Sequence, residues 1–218
     1  MKASDVRDRG FRPGFLVLAN AQSEERDRIA GRVPADGSKS WNAEQWKQVA
    51  KVLAEAAKVT KDFGLDLVFH PHVSTYVETM QETEQFFDVT SATGVGLCLD
   101  TGHCACAGGD SAEEAEKYRD ILRFVHIKDV NETVLAEARR RELNFEQAIE
   151  LNAFTIIGQG SIDFNEFFRI LEKKRLFRLD GSRTGRKVRP HQSPAGRKRS
   201  RQSPLPGTSS RRISHLNP

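Results

Sequence analysis

Three short apolar runs in this chain stop abruptly at side chains able to bind a metal or move a proton. Val95-Gly96-Leu97-Cys98-Leu99 ends in Asp100-Thr101-Gly102-His103. Phe124-Val125 ends in His126-Ile127-Lys128-Asp129, and Leu65-Asp66-Leu67-Val68-Phe69 ends in His70-Pro71-His72. Apolar runs of this length, bounded by polar turn residues, fit strands buried on both faces. In parallel α/β folds, chemistry collects where such strands end.

Helical segments alternate with these strands. Gly14–Ala19 reads as a first buried strand, followed by polar residues 20–40 with turn signals at Pro34 and Asp36-Gly37. Asn42 and Gln45 have capping-box spacing, and Trp46, Val49, Ala50, Leu53, Ala56 and Ala57 recur on one helical face before Gly64. Thr79 with Glu82 opens a helix through Phe86 and Phe87, and Ser111 with Glu114 opens one through Tyr118 and Leu122. Further helices are predicted at about 131–141 and 144–151, and after Asp163 with Glu166, where Phe164, Phe167, Phe168 and Leu171 supply the apolar positions. The β-α-β-α order has no hairpin signal and implies parallel strands with right-handed crossovers. About four strands are visible, which suits an open sheet or part of a barrel.

The net charge of +4 conceals two unlike segments. From Gly181 to Pro218 there are ten Lys or Arg and no Asp or Glu, so the preceding residues are net acidic. The tail is rich in Ser, Pro and Gly, buries little, and is expected to be disordered. Such a tail could contact nucleic acid through phosphates. It has no aromatic residue for stacking on bases, and the plain reading is a solvated segment. No run approaches the ~20 apolar residues of a membrane span, and the N-terminus lacks the apolar stretch of a signal peptide. A cytoplasmic location is therefore expected. Cys98, Cys104 and Cys106 follow neither a disulfide nor a zinc spacing and read as reduced and structural.

The segments His70-Pro71-His72-Val73-Ser74-Thr75-Tyr76-Val77-Glu78-Thr79, Leu99-Asp100-Thr101-Gly102-His103 and His126-Ile127-Lys128-Asp129 together resemble the xylose-isomerase-like TIM-barrel superfamily of sugar phosphate isomerases and epimerases. Ala30-Gly31-Arg32-Val33 and Phe154-Thr155 before Gly158-Gln159-Gly160 narrow the resemblance to the inosose dehydratase subgroup. It covers about Gly14 to Leu171 and implies a partial (β/α)8 barrel of about four βα units, corresponding to strands 4–7. The expected organisation is an extension over 1–13, the partial barrel over 14–175 and the basic tail over 176–218.

The resemblance also implies a divalent metal (Mn, Co or Mg) and a small keto-polyol or sugar substrate. By motif, Asp100 is the sixth-strand ligand and His126 the seventh. His70 stands where many relatives carry a fifth-strand glutamate, which leaves that ligand open among His70, His72 and Glu78. His103 faces substrate, and Lys128 and Asp129 lie at the pocket edge. Gln159 replaces a frequent acid. No eighth strand with its glutamate follows Leu171, so the chain is expected to be a fragment, truncated in front and replaced behind.

The residue types suit enediolate chemistry. Asp and His hold a hard or borderline cation with open positions. A histidine moves protons near neutral pH, and an ammonium such as Lys128 polarises an oxygen. With the resemblance, catalytic roles are expected of His72, His103 and Lys128, and metal roles of Asp100, His126, His70 and Glu78. The plain readings are equally concrete. Asp100 caps a following helix, Glu78 sits near a helix start, and Lys128 with Asp129 forms a structural ion pair. The expected activity is a metal-dependent lyase, with isomerase or epimerase activity as neighbour. The opposing expectation is a non-catalytic remnant, with exposed sheet edges that favour self-association.

Overall fold

The computed structural model describes residues 14–173. The expected N-terminal extension and the basic tail lie outside the described residues.

Four parallel strands, β1 (Phe15–Leu18), β2 (Asp66–Phe69), β3 (Gly96–Asp100) and β4 (Leu122–His126), pair in sequence order. The register settles which residues share a face. Phe15 pairs with Asp66, Val68 with Gly96, Cys98 with Phe124, and Asp100 with His126. Paired residues in a parallel sheet point the same way. One face therefore carries Phe15, Val68, Cys98 and Phe124, with His70, Asp100 and His126 at its C-terminal end. The opposite face carries Leu67, Phe69, Leu97, Leu99 and Leu122.

That second face is the main core. Helices α1 (Glu24–Arg28), α2 (Ala43–Asp62) and α3 (Met80–Thr90) follow β1 and β2. The strand face packs against Trp46 and Leu53 of α2, and against Phe86 and Phe87 of α3. Phe86 is fully buried and stacks on Phe69 at 3.9 Å between ring centroids. Burying each such side chain is worth about 1.5–3 kcal/mol. The predicted capping boxes at Asn42/Gln45 and Thr79/Glu82 are both formed. Gly64 takes φ 70° just past α2, where a side chain would be strained.

The first face is concave. Phe15 and Phe124 stand on the outer strands, yet their rings approach to 5.5 Å across it. The curl follows from sheet twist and matches an arc of a barrel. Both rings are exposed, and β1 and β4 have no further strand partner among the described residues.

After β3 come α4 (Thr101–Cys106) and α5 (Ser111–Lys117). The α5 cap is Asp110, whose carboxylate accepts from the Ala112 and Glu113 amides, and not Ser111. The helix stops before Leu122, which opens β4. Beyond β4, the strand β5 (Asp129–Val130) pairs antiparallel with β6 (Phe154–Thr155), a ribbon for which the sequence carries no hairpin signal. Between them run α6 (Glu132–Arg140) and α7 (Phe145–Glu150). These build a second small core from Val130, Leu135, Ala138, Phe145 and Ala148 beside the strand ends. Helix α8 (Phe164–Lys173) buries Phe167, Ile170 and Leu171 in the main core.

Candidate active site

Asp100 ends β3 and begins α4, and its two carboxylate oxygens do different work. Oδ1 accepts from the Gly102 and His103 amides, both at 3.0 Å, and so caps α4. Oδ2 turns toward the concave face. It lies 2.7 Å from Lys128 Nζ, 3.4 Å from His126 Nδ1 and 3.9 Å from His70 Nε2. The side chain is fully buried, and the partner nearest Oδ2 is the Lys128 ammonium. Three strand ends thus converge on one carboxylate oxygen, as the neighbouring-strand register dictates.

The imidazoles form a continuous patch. His70 contacts His72, His103 and His126 with ring centroids 5.0–5.3 Å apart, and His72 and His103 lie 3.7 Å apart. His72 Nδ1 donates to the Val73 carbonyl at 2.6 Å, which leaves the lone pair on Nε2. Burial pushes His70 down to about 4, against the opposing pull of Asp100. Burial also lowers His72 and, with the neighbouring His72 and Lys128, holds His103 far below its ordinary range. These rings are neutral near pH 7 and available as acceptors or ligands. His70 Nδ1 and His103 Nδ1 are buried without a hydrogen-bond partner.

A cleft of about 510 Å³ opens beside this patch, lined by His72, His103, Lys128, Phe145, Phe154 and the carboxylate-bearing Asp27. Lys128 Nζ also sits 5.4 Å over the Phe154 ring. Its backbone is fixed by Thr101, whose hydroxyl donates to the Lys128 carbonyl at 2.6 Å and accepts from its amide at 2.9 Å.

Two side chains named from the sequence lie elsewhere. Glu78 does not join the cluster. Its Oε1 accepts from the Gly31 amide at 2.6 Å and its Oε2 from the Ser74 amide at 2.9 Å, with Arg26 at 3.8 Å. It fastens two loops together, and burial raises it to about 7. Asp129 forms no pair with Lys128. Its carboxylate accepts from the Val130, Gly158, Gly160 and Ile162 amides and so shapes the Gly158–Gly160 turn.

The sequence reading did not place Phe145 and Phe154, which wall the cleft from segments far along the chain, at the site. Nor did it bring Cys98 to the imidazoles, where its Sγ lies 3.9 Å from both ring nitrogens of His126. For Cys98 the signal was present, because a residue two before Asp100 on a strand shares its face. The three cysteines are free and buried.

The concave arc of parallel strands with its site at their C-terminal ends is the arrangement of a β/α barrel, and the profile of the xylose isomerase-like TIM barrel family matches residues 17–179. The chain belongs to this family. Among curated members it is 35% identical over 170 residues to the inosose dehydratase of Clostridium perfringens, covering 77% of this chain and 57% of that protein. It is 37% identical over 169 residues to that of Bacillus thuringiensis strain Al Hakam, covering 76% and 57%. The chain thus spans little more than half the length of these family members. Among solved structures, the IolI protein with a bound zinc atom superposes with a TM-score of 0.50 at 19% identity, over 79% of this chain and 53% of that one. The probable 3-DHS dehydratase AsbF of Bacillus anthracis gives 0.50 at 12% identity, over 78% and 70%. These likenesses establish the fold. No helix among the described residues is long and apolar enough to cross a membrane.

Proposed function

We propose that this chain carries the site of a metal-dependent lyase that removes water from a cyclic keto-polyol. The observation that carries the reading is the buried Asp100 Oδ2, which faces His126 and His70 and is balanced by the Lys128 ammonium alone. A buried carboxylate needs positive charge beside it, which Lys128 supplies here and a bound cation would supply in its place. An Asp and two imidazoles are a fitting donor set for a divalent cation. The matched curated proteins are inosose dehydratases, and the zinc in the superposed IolI protein is consistent with a cation at such strand ends.

When bound, a divalent cation supplies Lewis acidity to a carbonyl and its neighbouring hydroxyl. The residues of the chain do the rest. Asp100, His126 and His70 would hold the cation. His72, with Nδ1–H committed to the Val73 carbonyl, offers Nε2 to take the proton next to the carbonyl. Its depressed basicity leaves it unprotonated and ready at neutral pH. His103 accepts from a substrate hydroxyl through its free buried nitrogen. Lys128 reaches the cleft as the ammonium that protonates or polarises the departing oxygen. Phe145 and Phe154 supply apolar walls that exclude water from one side of the ring.

The test is incubation of folded protein with 2-keto-myo-inositol and manganese, cobalt, magnesium or zinc, with the product followed by mass. Loss of one water supports the lyase. A product of unchanged mass but altered stereochemistry assigns isomerase or epimerase activity, which shares the enediolate. No product with any metal, from protein shown to be folded, rejects catalysis.

A further inference from the structure

The cluster has a fourth donor that the resemblance does not supply. Cys98 is completely buried and shares the concave face of β3 with Asp100. Its Sγ lies 3.9 Å from both ring nitrogens of His126. Ligand atoms of His70, Cys98 and His126 all lie within 4.8 Å of one another. Donors bound tetrahedrally at ~2.0–2.3 Å stand roughly 3.3–3.7 Å apart, so shifts of about an ångström would close the His70, Cys98 and His126 atoms on one ion. Asp100 Oδ2 lies 3.4 Å from His126 Nδ1 and 3.9 Å from His70 Nε2 and now pairs with the Lys128 ammonium at 2.7 Å, so it becomes the fourth donor when that ammonium moves aside.

Cys98 differs here from its two neighbours in sequence. Cys104 hydrogen-bonds Glu114, and Cys106 packs in the second core against Val130 and Leu135. Among the three thiols, only that of Cys98 falls within a group able to hold a metal among the described residues.

We propose that Cys98 is a ligand of the cation held by Asp100, His70 and His126, so that this site selects zinc or cobalt over magnesium. The proposal rests on the metal reading above and names its missing donor. On binding, the thiol proton leaves to solvent and a sulfur–metal bond forms, with no change of oxidation state. Thiolate is a soft ligand that suits zinc and cobalt, whereas magnesium demands oxygen. A four-donor site still admits a substrate oxygen by expanding to five-coordination.

The experiment is titration of metal-free full-length protein with cobalt(II), followed in the visible and near-ultraviolet. The wild type is expected to saturate at one equivalent, with ligand-field bands and a thiolate-to-cobalt charge-transfer band. Cys98→Ser is expected to keep the ligand-field bands, lose the charge-transfer band, and bind zinc on the order of 10–100-fold more weakly or worse. The Cys104→Ala, Cys106→Ala double variant is expected to retain that band. X-ray absorption of the zinc-loaded wild type, which needs no variant to fold, is expected to show one sulfur at about 2.3 Å. Ligand-field bands without a charge-transfer band in the wild type, a band that survives Cys98→Ser, or a zinc shell without sulfur would overturn the role of Cys98 and leave the metal reading intact. Failure to bind cobalt or zinc at all would overturn both.

Discussion

Lys128 Nζ stands 2.7 Å from Asp100 Oδ2 and is the nearest cation to the carboxylate around which the site is built. The ammonium comes from the segment after β4, and the carboxylate from the end of β3. A divalent cation held by Asp100 and the imidazoles would take over the charge that Lys128 now balances and free the ammonium to face substrate.

Lys128→Met follows directly from that relationship. The Asp100 side chain is fully buried and that of Lys128 is 38% exposed. The cost of losing the pair should therefore fall between the ~1 kcal/mol of an exposed pair and the ~3–5 kcal/mol of a buried one. Calorimetry of metal-free protein should show the lower melting temperature. Zinc at a hundredfold excess over Kd should add about 2.7 kcal/mol to the unfolding free energy of the variant. Turnover should fall by ~10²–10⁴ while metal binding is kept. Unchanged turnover would remove Lys128 from the reaction.

Arg26 sets the second prediction. It is fully buried and forks onto both oxygens of Glu82, at 2.7 and 2.8 Å, while donating to the Lys39 carbonyl at 3.0 Å. Glu82 also accepts from Ser40 and from the Glu78 and Thr79 amides. The clamp ties α1 and the segment at Lys39 to the start of α3. Arg26→Met leaves two buried carboxylates, Glu82 and Glu78, without their cation. Denaturant unfolding should show a loss of about 3–5 kcal/mol. A loss under 1 kcal/mol would mean these segments are held by other contacts.

These two clusters show what the sequence made legible. The helix caps at Asn42 and Thr79 were readable because capping boxes are local, with donor and acceptor three residues apart. Asp100, His126 and His70 were readable because each ends a strand, and parallel register brings strand ends together. Helix α4 was missed because six residues cannot display a helical period, and its cap is the same Asp100 that faces the site. Glu78 was misplaced because its partners, the Gly31 and Ser74 amides, come from loops that only the fold brings near it. The β5–β6 ribbon was hidden because its strands have two residues each and are separated by two helices.

Glu114 gives a pH dependence away from the site. Burial raises it from 4.5 to about 7, against the hydrogen bond from Cys104. The folded state therefore binds this proton more tightly than the unfolded chain does. Between pH ~4.5 and ~7 the unfolded chain gives up this proton while the fold still holds it, so the group's stabilising contribution is lost as pH rises. Glu114→Gln cannot ionise. The unfolding free energy of the variant relative to wild type should rise from pH 5 to pH 8, by an amount on the order of 3 kcal/mol at most. A difference flat across that range would show that Glu114 titrates as an exposed acid does.

Gly102 offers a way to move Lys128 without changing it. A Cβ on Gly102 would stand 2.6 Å from Lys128 Cβ and 2.7 Å from the Phe154 ring. Neither contact is tolerable, and neither group can yield cheaply. The Lys128 backbone is pinned on both sides by Thr101, and Phe154 is held in the β5–β6 ribbon. Gly102→Ala should therefore cost about 1–3 kcal/mol of stability through overpacking and carry the ammonium away from Asp100. An ångström of displacement at a positioned group can cost ~10²-fold in rate. The variant should thus lose turnover with Asp100, His126 and His70 unchanged, and with zinc affinity within a few-fold of wild type. If zinc affinity collapses along with turnover, the added methyl has instead distorted the turn from Asp100 into α4, and the separation between cation holding and proton delivery does not stand.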